Sequence, residues 1–142
     1  MRQPLRPFAL VDPNPDGRLR VEAAALQAGL AQRVDLLEDL GALRRYLNRQ
    51  GEFEVFQGQP LPGVVLLDLG PDTLMGLRTL KRDPNARGIP VVLFSQAQDD
   101  AQERPLWAEG ANSVIPRPGT FDGLVEVMRA LDRYWTQTVR LP

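Results

Sequence analysis

The sequence predicts an α/β protein, with helices packed on both faces of a parallel central sheet. Short aliphatic runs such as Val64-Val65-Leu66-Leu67 and Ile89-Pro90-Val91-Val92-Leu93-Phe94 are apolar at almost every position, as in strands covered on both sides. Between such runs lie longer stretches with apolar residues at helical spacing. Strands alternating with helices in this way argue for a parallel sheet with right-handed crossovers. At 142 residues, 43% of them hydrophobic, the chain can bury one good core and has no room for a second domain of similar size. No internal repeat and no low-complexity tract breaks the pattern.

Phe8-Ala9-Leu10-Val11 reads as the first strand, closed by the dense turn signal Asp12-Pro13-Asn14-Pro15-Asp16-Gly17. Leu19, Ala23, Leu26 and Leu30 recur at helical spacing and predict the core face of a first helix, with Gly29 near its end. Val34 to Leu37 is the second strand, and Ala42 to Leu47, with Leu43, Tyr46 and Leu47 on one face, the second helix. The mostly polar stretch from Gln50 to Gly63 reads as a long surface connection pinned by Phe53, Val55 and Phe56. It leads into the third strand, Val64 to Leu67. Leu77 and Leu80 mark a short helix stopped by Asp83-Pro84, and Ile89 to Phe94 is the fourth strand. Asp99 and Asp100 are candidate caps for a helix carrying Leu106 and Trp107. Pro105 removes a backbone donor inside that helix, which should be short, kinked or late-starting. Ser113-Val114-Ile115 is the fifth strand. Phe121, Leu124, Val125, Met128, Leu131 and Trp135 then trace the best amphipathic helix in the chain.

Composition narrows the chemistry. There are no cysteines and no histidines, which excludes disulfides, thiolate catalysis, thiol-ligated zinc and imidazole acid–base work. What remains is carboxylates, hydroxyls, cations and hard metals such as Mg²⁺. Lys plus Arg total 17 against 18 for Asp plus Glu, so charge gives no case for nucleic acid or membrane as the main partner. The N-terminus lacks an apolar signal core and no apolar run reaches ~18 residues, so a soluble, cytoplasmic protein is expected.

Within this frame Asp68 is the most informative residue. It follows an aliphatic strand and precedes Leu69-Gly70-Pro71, which puts its carboxylate at a strand's C-terminal tip, where ligands and chemistry collect in parallel sheets. There it can serve as nucleophile, metal ligand or helix cap.

The order of strand-ending Asp12, Asp68, Ser95 and Arg117-Pro118 resembles the receiver domain of two-component response regulators, from about Phe8 to Trp135. Gly76 stands at the interval from Asp68 where receivers place a loop glycine. Asp83-Pro84 before Ile89-Pro90-Val91-Val92, and Gly110-Ala111-Asn112-Ser113 before the fifth strand, are similar to receiver segments. The long connection from Asn48 to Pro62 and the ending Tyr134-Trp135 resemble the small stand-alone regulators associated with phytochromes. The resemblance implies the flavodoxin-like receiver fold, a doubly wound five-stranded parallel sheet with five helices over residues 8–135, flanked by tails 1–7 and 136–142. It implies a phosphoryl group passed from a sensor histidine kinase, here a candidate bacteriophytochrome, to Asp68. An anionic carboxylate attacking an anionic phosphoryl group needs neutralising charge. By the same resemblance, Mg²⁺ is held by an acidic pair after the first strand, by Asp68 and by the backbone carbonyl of Gly70. Ser95 hydrogen-bonds a phosphoryl oxygen, and a lysine after the fifth strand, followed by a cis peptide to proline, pairs with the phosphate. It also implies a homodimer through helix four, strand five and helix five.

Several positions depart from that pattern. The acidic pair is reduced to Asp12, because Pro13 occupies the second place and offers no side-chain oxygen. Mg²⁺ demands near-octahedral oxygens, so the metal site should be weak or absent. Asp16 lies close by, and is expected to cap the first helix rather than to substitute. Arg117 stands where lysine is usual; its planar fork can clamp a phosphate, or pair permanently with Asp68. Val114 replaces an aromatic that signals by swinging inward. Met75 stands where an acidic residue is usual, and Asp72 where a proline is usual. Plainer roles exist for each residue: Asp68 or Asp12 as structural carboxylates, Ser95 satisfying a loop donor, Arg117 as a surface cation, Trp107 and Trp135 as core or rim aromatics.

The reading that follows is a non-enzymatic, single-domain response regulator with no output domain, phosphorylated at Asp68 with reduced Mg²⁺-dependent competence and signalling by protein contact. The alternative is a phosphorylation-independent pseudo-receiver acting as a dimeric binding module. An aspartate-nucleophile phosphatase is disfavoured because Gly70 sits where a second acid is needed. A flavodoxin-like cofactor binder is disfavoured because no phosphate-cradling loop follows the first strand.

Overall fold

In the computed structural model, which describes residues 6–95 and 100–134, five strands form one parallel sheet in the order β2-β1-β3-β4-β5. They are β1 (Phe8–Val11), β2 (Val34–Leu37), β3 (Val64–Leu67), β4 (Val91–Ser95) and β5 (Ser113–Pro116). Five helices connect and follow them: α1 (Pro15–Gln27), α2 (Leu40–Leu47), α3 (Thr73–Arg82), α4 (Asp100–Ala108) and α5 (Phe121–Asp132). The expected alternation is therefore present throughout. Asp99 and Trp135 lie outside the described residues, as does the side chain of Asp100.

The aliphatic runs become strands because both faces of the sheet are covered. Ala9, Val11, Val65, Leu67, Val91 and Leu93 face a core closed by Leu43, Tyr46 and Leu47 of α2 and Leu77 and Leu80 of α3. Phe8, Leu10, Val64, Leu66, Val92 and Phe94 face a second core closed by α1 and by Leu124, Val125, Met128 and Leu131 of α5. Leu106 of α4 packs against the first core, so α2, α3 and α4 share one face and α1 and α5 the other.

The helix starts follow from capping. Asp39 accepts the amide of Ala42 and starts α2 at Leu40, two residues before the apolar pattern begins. Thr120 does the same for α5 through Gly123. At α1 the cap is Asn14, whose side chain accepts the amide of Asp16, with Pro15 in the first turn. The expectation that Asp16 caps is thus corrected: it is an exposed first-turn acid, favourably placed for the helix dipole. α4 is short, nine residues, and contains Pro105.

The predicted inner face of α1 is also corrected. Leu19 and Leu26 are 60% and 82% exposed, and the helix buries Val21, Ala24 and Ala25 instead. α1 lies against α5, and small side chains let two helices approach closely, so the alanine side faces inward while the larger leucines face out. Gly76 differs too: it lies inside α3 rather than in a loop, where a Cβ would come within 2.6 Å of the Leu69 side chain.

The connection from Gln50 to Gly63 is pinned, as expected, by Phe53 and Phe56, but Val55 is exposed. A 3₁₀ helix, Gly51–Phe56, sets both rings edge-on to Tyr46, at centroid distances of 5.5 and 6.0 Å. Tyr46 donates its hydroxyl proton to the buried Asp35 of β2 at 2.6 Å, and Arg33 donates to the same carboxylate. Burial first, and the bond to Asp35 second, push the Tyr46 hydroxyl far above its ordinary pKa. Arg49 closes the strap by donating to the carbonyls of Tyr46 and Pro60.

Tyr46→Phe keeps the ring packing and removes one donor from a buried carboxylate. It should lower unfolding stability by about 1–3 kcal/mol, measured by urea denaturation.

Candidate functional site at the C-terminal edge of the sheet

Register builds the site. Val11 of β1 pairs beside Leu67 of β3, so the next residues, Asp12 and Asp68, emerge side by side. The amide of Asp68 donates to the carbonyl of Val11, and that of Asp12 to Leu37. Ser95 pairs beside Pro116, and the amide of Arg117 donates to the Ser95 carbonyl, which fixes the start of the Arg117 side chain. Strand order reverses direction at β1 and β3, the place where open parallel sheets form ligand crevices.

Three of the four expected side-chain positions share one small cleft. Asp12, Asp68 and Arg117 line a cavity of about 60 Å³ together with Gly17, Arg20, Val21, Phe94, Pro118 and Leu124. Asp12 and Asp68 are 3% and 7% exposed. Arg117 donates through Nη2 to Oδ1 of Asp68, and its side chain is 42% exposed. A buried carboxylate at the tip of a strand therefore holds a cation that can still reach water. No peptide bond among the described residues is cis, so Arg117–Pro118 is trans, the lower-energy isomer, and the implied cis geometry is corrected.

Burial is the largest influence on Asp68 and raises its pKa. Arg117 pulls in the other direction and the neighbouring Asp12 charge adds to the rise, leaving the carboxyl above its ordinary range. Asp12 is held by local contacts: its Oδ1 accepts the Asn14 amide at 2.9 Å, and its backbone carbonyl accepts Arg18 Nη1 at 2.8 Å. Gly17 lies over its second oxygen so closely that a Cβ there would fall 2.2 Å from Oδ2. The carboxylate is thus part of the turn that starts α1.

Ser95 is buried at the end of β4, but it lines the neighbouring cleft of about 410 Å³, with Thr73, Leu74, Gln102 and Leu106. Gly70 lines that second cleft as well, and its carbonyl accepts the Thr73 amide. Sequence reasoning missed Arg20, whose only signal was its place one helical turn beyond Gly17, and missed the buried Thr73. Pro13 and Met75 are exposed, Val114 is partly buried, and Trp107 is a rim residue at 49% exposure.

A divalent cation fits this set poorly. Arg117 already occupies Asp68, Asp12 is engaged by the α1 turn, and Pro13 supplies no oxygen. Among the described residues no three acidic side chains converge on a point that could hold a metal.

No family model matches the chain. Response regulator Rcp1 of Synechocystis is 25% identical over 134 residues, 92% of this chain and 88% of its own. Its manganese-bound crystal structure superposes with a TM-score of 0.78 at 22% identity, covering 96% of this chain and 99% of that one. The phosphorylated cyanobacterial phytochrome response regulator RcpA shares the fold at a TM-score of 0.82 and 22% identity, over 98% and 99% of the two chains. The bacteriophytochrome response regulator AtBRR is 30% identical, covers 94% of this chain and 97% of its own, and superposes with a TM-score of 0.72. The chain belongs to the response regulator family. It is a receiver domain of the phytochrome-associated type, a component of two-component signalling, and the doubly wound fold and receiver resemblance expected from its residues are borne out. No helix among the described residues is long and apolar enough to cross a membrane.

The raised pKa of Asp68 has a consequence for this receiver's stability. A carboxyl with a raised folded-state pKa stabilises the fold only while protonated, and that contribution is lost as pH rises through the folded value. Asp68→Asn should therefore be more stable than the natural protein at neutral pH. The gain should shrink as pH falls and vanish below the ordinary carboxyl value of 3.8, as read by denaturant midpoints across pH.

Proposed function

We propose that this receiver accepts a phosphoryl group at Asp68 from a sensor histidine kinase, a bacteriophytochrome by similarity, and signals by protein–protein contact. The observation that carries the proposal is the buried strand-tip carboxylate facing Arg117 in a cleft open to solvent. In the transfer, an Asp68 oxygen attacks phosphorus, a new O–P bond forms, and the P–N bond to the kinase imidazole breaks with its electron pair leaving on nitrogen. The Arg117 guanidinium neutralises charge on the carboxylate and on the incoming group. Ser95, at the end of β4 beside the Arg117 backbone, is proposed to hydrogen-bond a phosphoryl oxygen. Asp12, Asp68 and the Gly70 carbonyl are the groups that would hold Mg²⁺, and their engagement elsewhere supports reduced Mg²⁺-dependent phosphorylation.

The contact surface is proposed to be a homodimer face on α4, β5 and α5. β5 is an edge strand, Trp107 and Tyr134 are half exposed, and a shallow apolar depression of about 230 Å³ lies between Ile115, Val127, Leu131 and Tyr134. One observation favours a second reading. The Arg117–Asp68 pair gives the resting carboxylate a counter-charge already, which suits a pseudo-receiver that binds its partners without phosphorylation.

Intact-mass spectrometry after incubation with acetyl phosphate and Mg²⁺ separates the two. The proposal expects a gain of one phosphoryl mass that is lost in Asp68→Asn; equal mass before and after incubation would leave the pseudo-receiver reading.

A further inference from the structure

We infer that Arg20 and Arg117 form a two-arginine clamp that takes the place of the divalent cation, so that phosphoryl transfer to Asp68 runs without a metal. The inference rests on the reading of Asp68 as phosphoryl acceptor. It adds a residue, Arg20, and a cofactor independence that this reading does not contain.

The cleft is balanced by its own side chains. Asp12 and Asp68 bring two negative charges, and Arg20 and Arg117 line the same cavity with two positive ones. Arg117 is committed to Asp68. Arg20 is exposed and has no ion-pair or hydrogen-bond partner among the described residues. Its neighbour Arg18 donates through Nη1 to the Asp12 carbonyl and does not line the cleft, so Arg20 is the cation that α1 contributes to it. It stands one turn beyond Gly17, the residue that covers Asp12, and beside Val21, which lines the cleft from the same helix.

Converting the Asp68 carboxylate to an acyl phosphate adds about one negative charge to a pocket with two buried carboxyl groups, because the phosphoryl group brings about two and the ester removes one. With Arg117 alone the site would be left strongly anionic. A second guanidinium offers up to five donors in a planar fork suited to phosphoryl oxygens. Mg²⁺ would have to displace Arg117 from Asp68 and find oxygens that Pro13 does not supply.

The test is the initial rate of phosphoryl gain from acetyl phosphate, by intact mass, with Mg²⁺ and with excess EDTA, for the natural protein, Arg20→Ala and Asp68→Asn. In this reaction the new bond joins Asp68 oxygen to phosphorus, and acetate leaves with the electron pair of the broken P–O bond. The clamp predicts a rate in EDTA within about threefold of that in Mg²⁺, and a loss of at least about tenfold in EDTA for Arg20→Ala. A gain that EDTA abolishes, or one that Arg20→Ala leaves unchanged, overturns the clamp while leaving Asp68 as acceptor. Mass gain in no condition removes Asp68 as acceptor and the clamp with it. Mn²⁺ binding, read by electron paramagnetic resonance, needs no transfer. The Arg20→Ala/Arg117→Ala double variant should bind Mn²⁺ more tightly than the natural protein, and equal binding counts against cation replacement.

Discussion

The structure turns on one problem, a carboxylate buried at the tip of the central strand. Asp68 is placed there by the parallel register of β1 and β3 and by aliphatic packing on both faces of the sheet, neither of which can be relaxed without disturbing the core. Desolvation makes the charge costly, and the adjacent Asp12 makes it more so. Arg117 offsets part of that cost from a position that two further constraints define: the pairing of β5 beside β4, and the hydrogen bond from its own amide to Ser95. The ion pair is therefore a product of sheet topology rather than an accident of two long side chains meeting at the surface.

In this arrangement the carboxylate's partner is covalently attached to the fold. A diffusible metal comes and goes with its concentration, whereas a guanidinium held through β5 is always within reach. Partial exposure of Arg117 matters to the proposed transfer, because a cation that reaches water can leave the carboxylate oxygen without being stranded in an apolar interior. Around this centre the departures from the receiver pattern form a consistent set. Pro13 offers no side-chain oxygen beside the site, Asp12 is drawn into the α1 turn, and α1 contributes the exposed Arg20 to the lining of the cleft.

Much of the fold was legible in the residues because the signals were local and strong. Four-residue apolar runs name buried parallel strands, and β1 and β3 begin and end where the runs do, while β2, interrupted by Asp35, is only alternately buried. The α1 stripe was misread because periodicity shows that a helix has an apolar face but not which face a neighbour will select. Close packing against α5 favoured Val21, Ala24 and Ala25 over Leu19 and Leu26. At the site, Asp68 was found from its strand end, and Asp12 and Arg117 from the receiver resemblance that the strand-ending residues carry. Arg20 was not, since an arginine on an exposed helix turn carries no mark until register and helix placement bring it to the cleft that the carboxylates line. The cap at Asn14 shows the same limit: Asn14 and Asp16 both suit a cap, and only the geometry of the turn chooses between them.

The most direct measurement of the central claim is the side-chain ¹⁵N NMR signal of Arg117 in the unphosphorylated protein, compared with that in Asp68→Asn. Pairing with Asp68 predicts hindered guanidinium rotation and a displaced Nε resonance in the natural protein, both lost in the variant. An Arg117 signal that rotates freely and is the same in both proteins would show that Asp68 is not held by this cation.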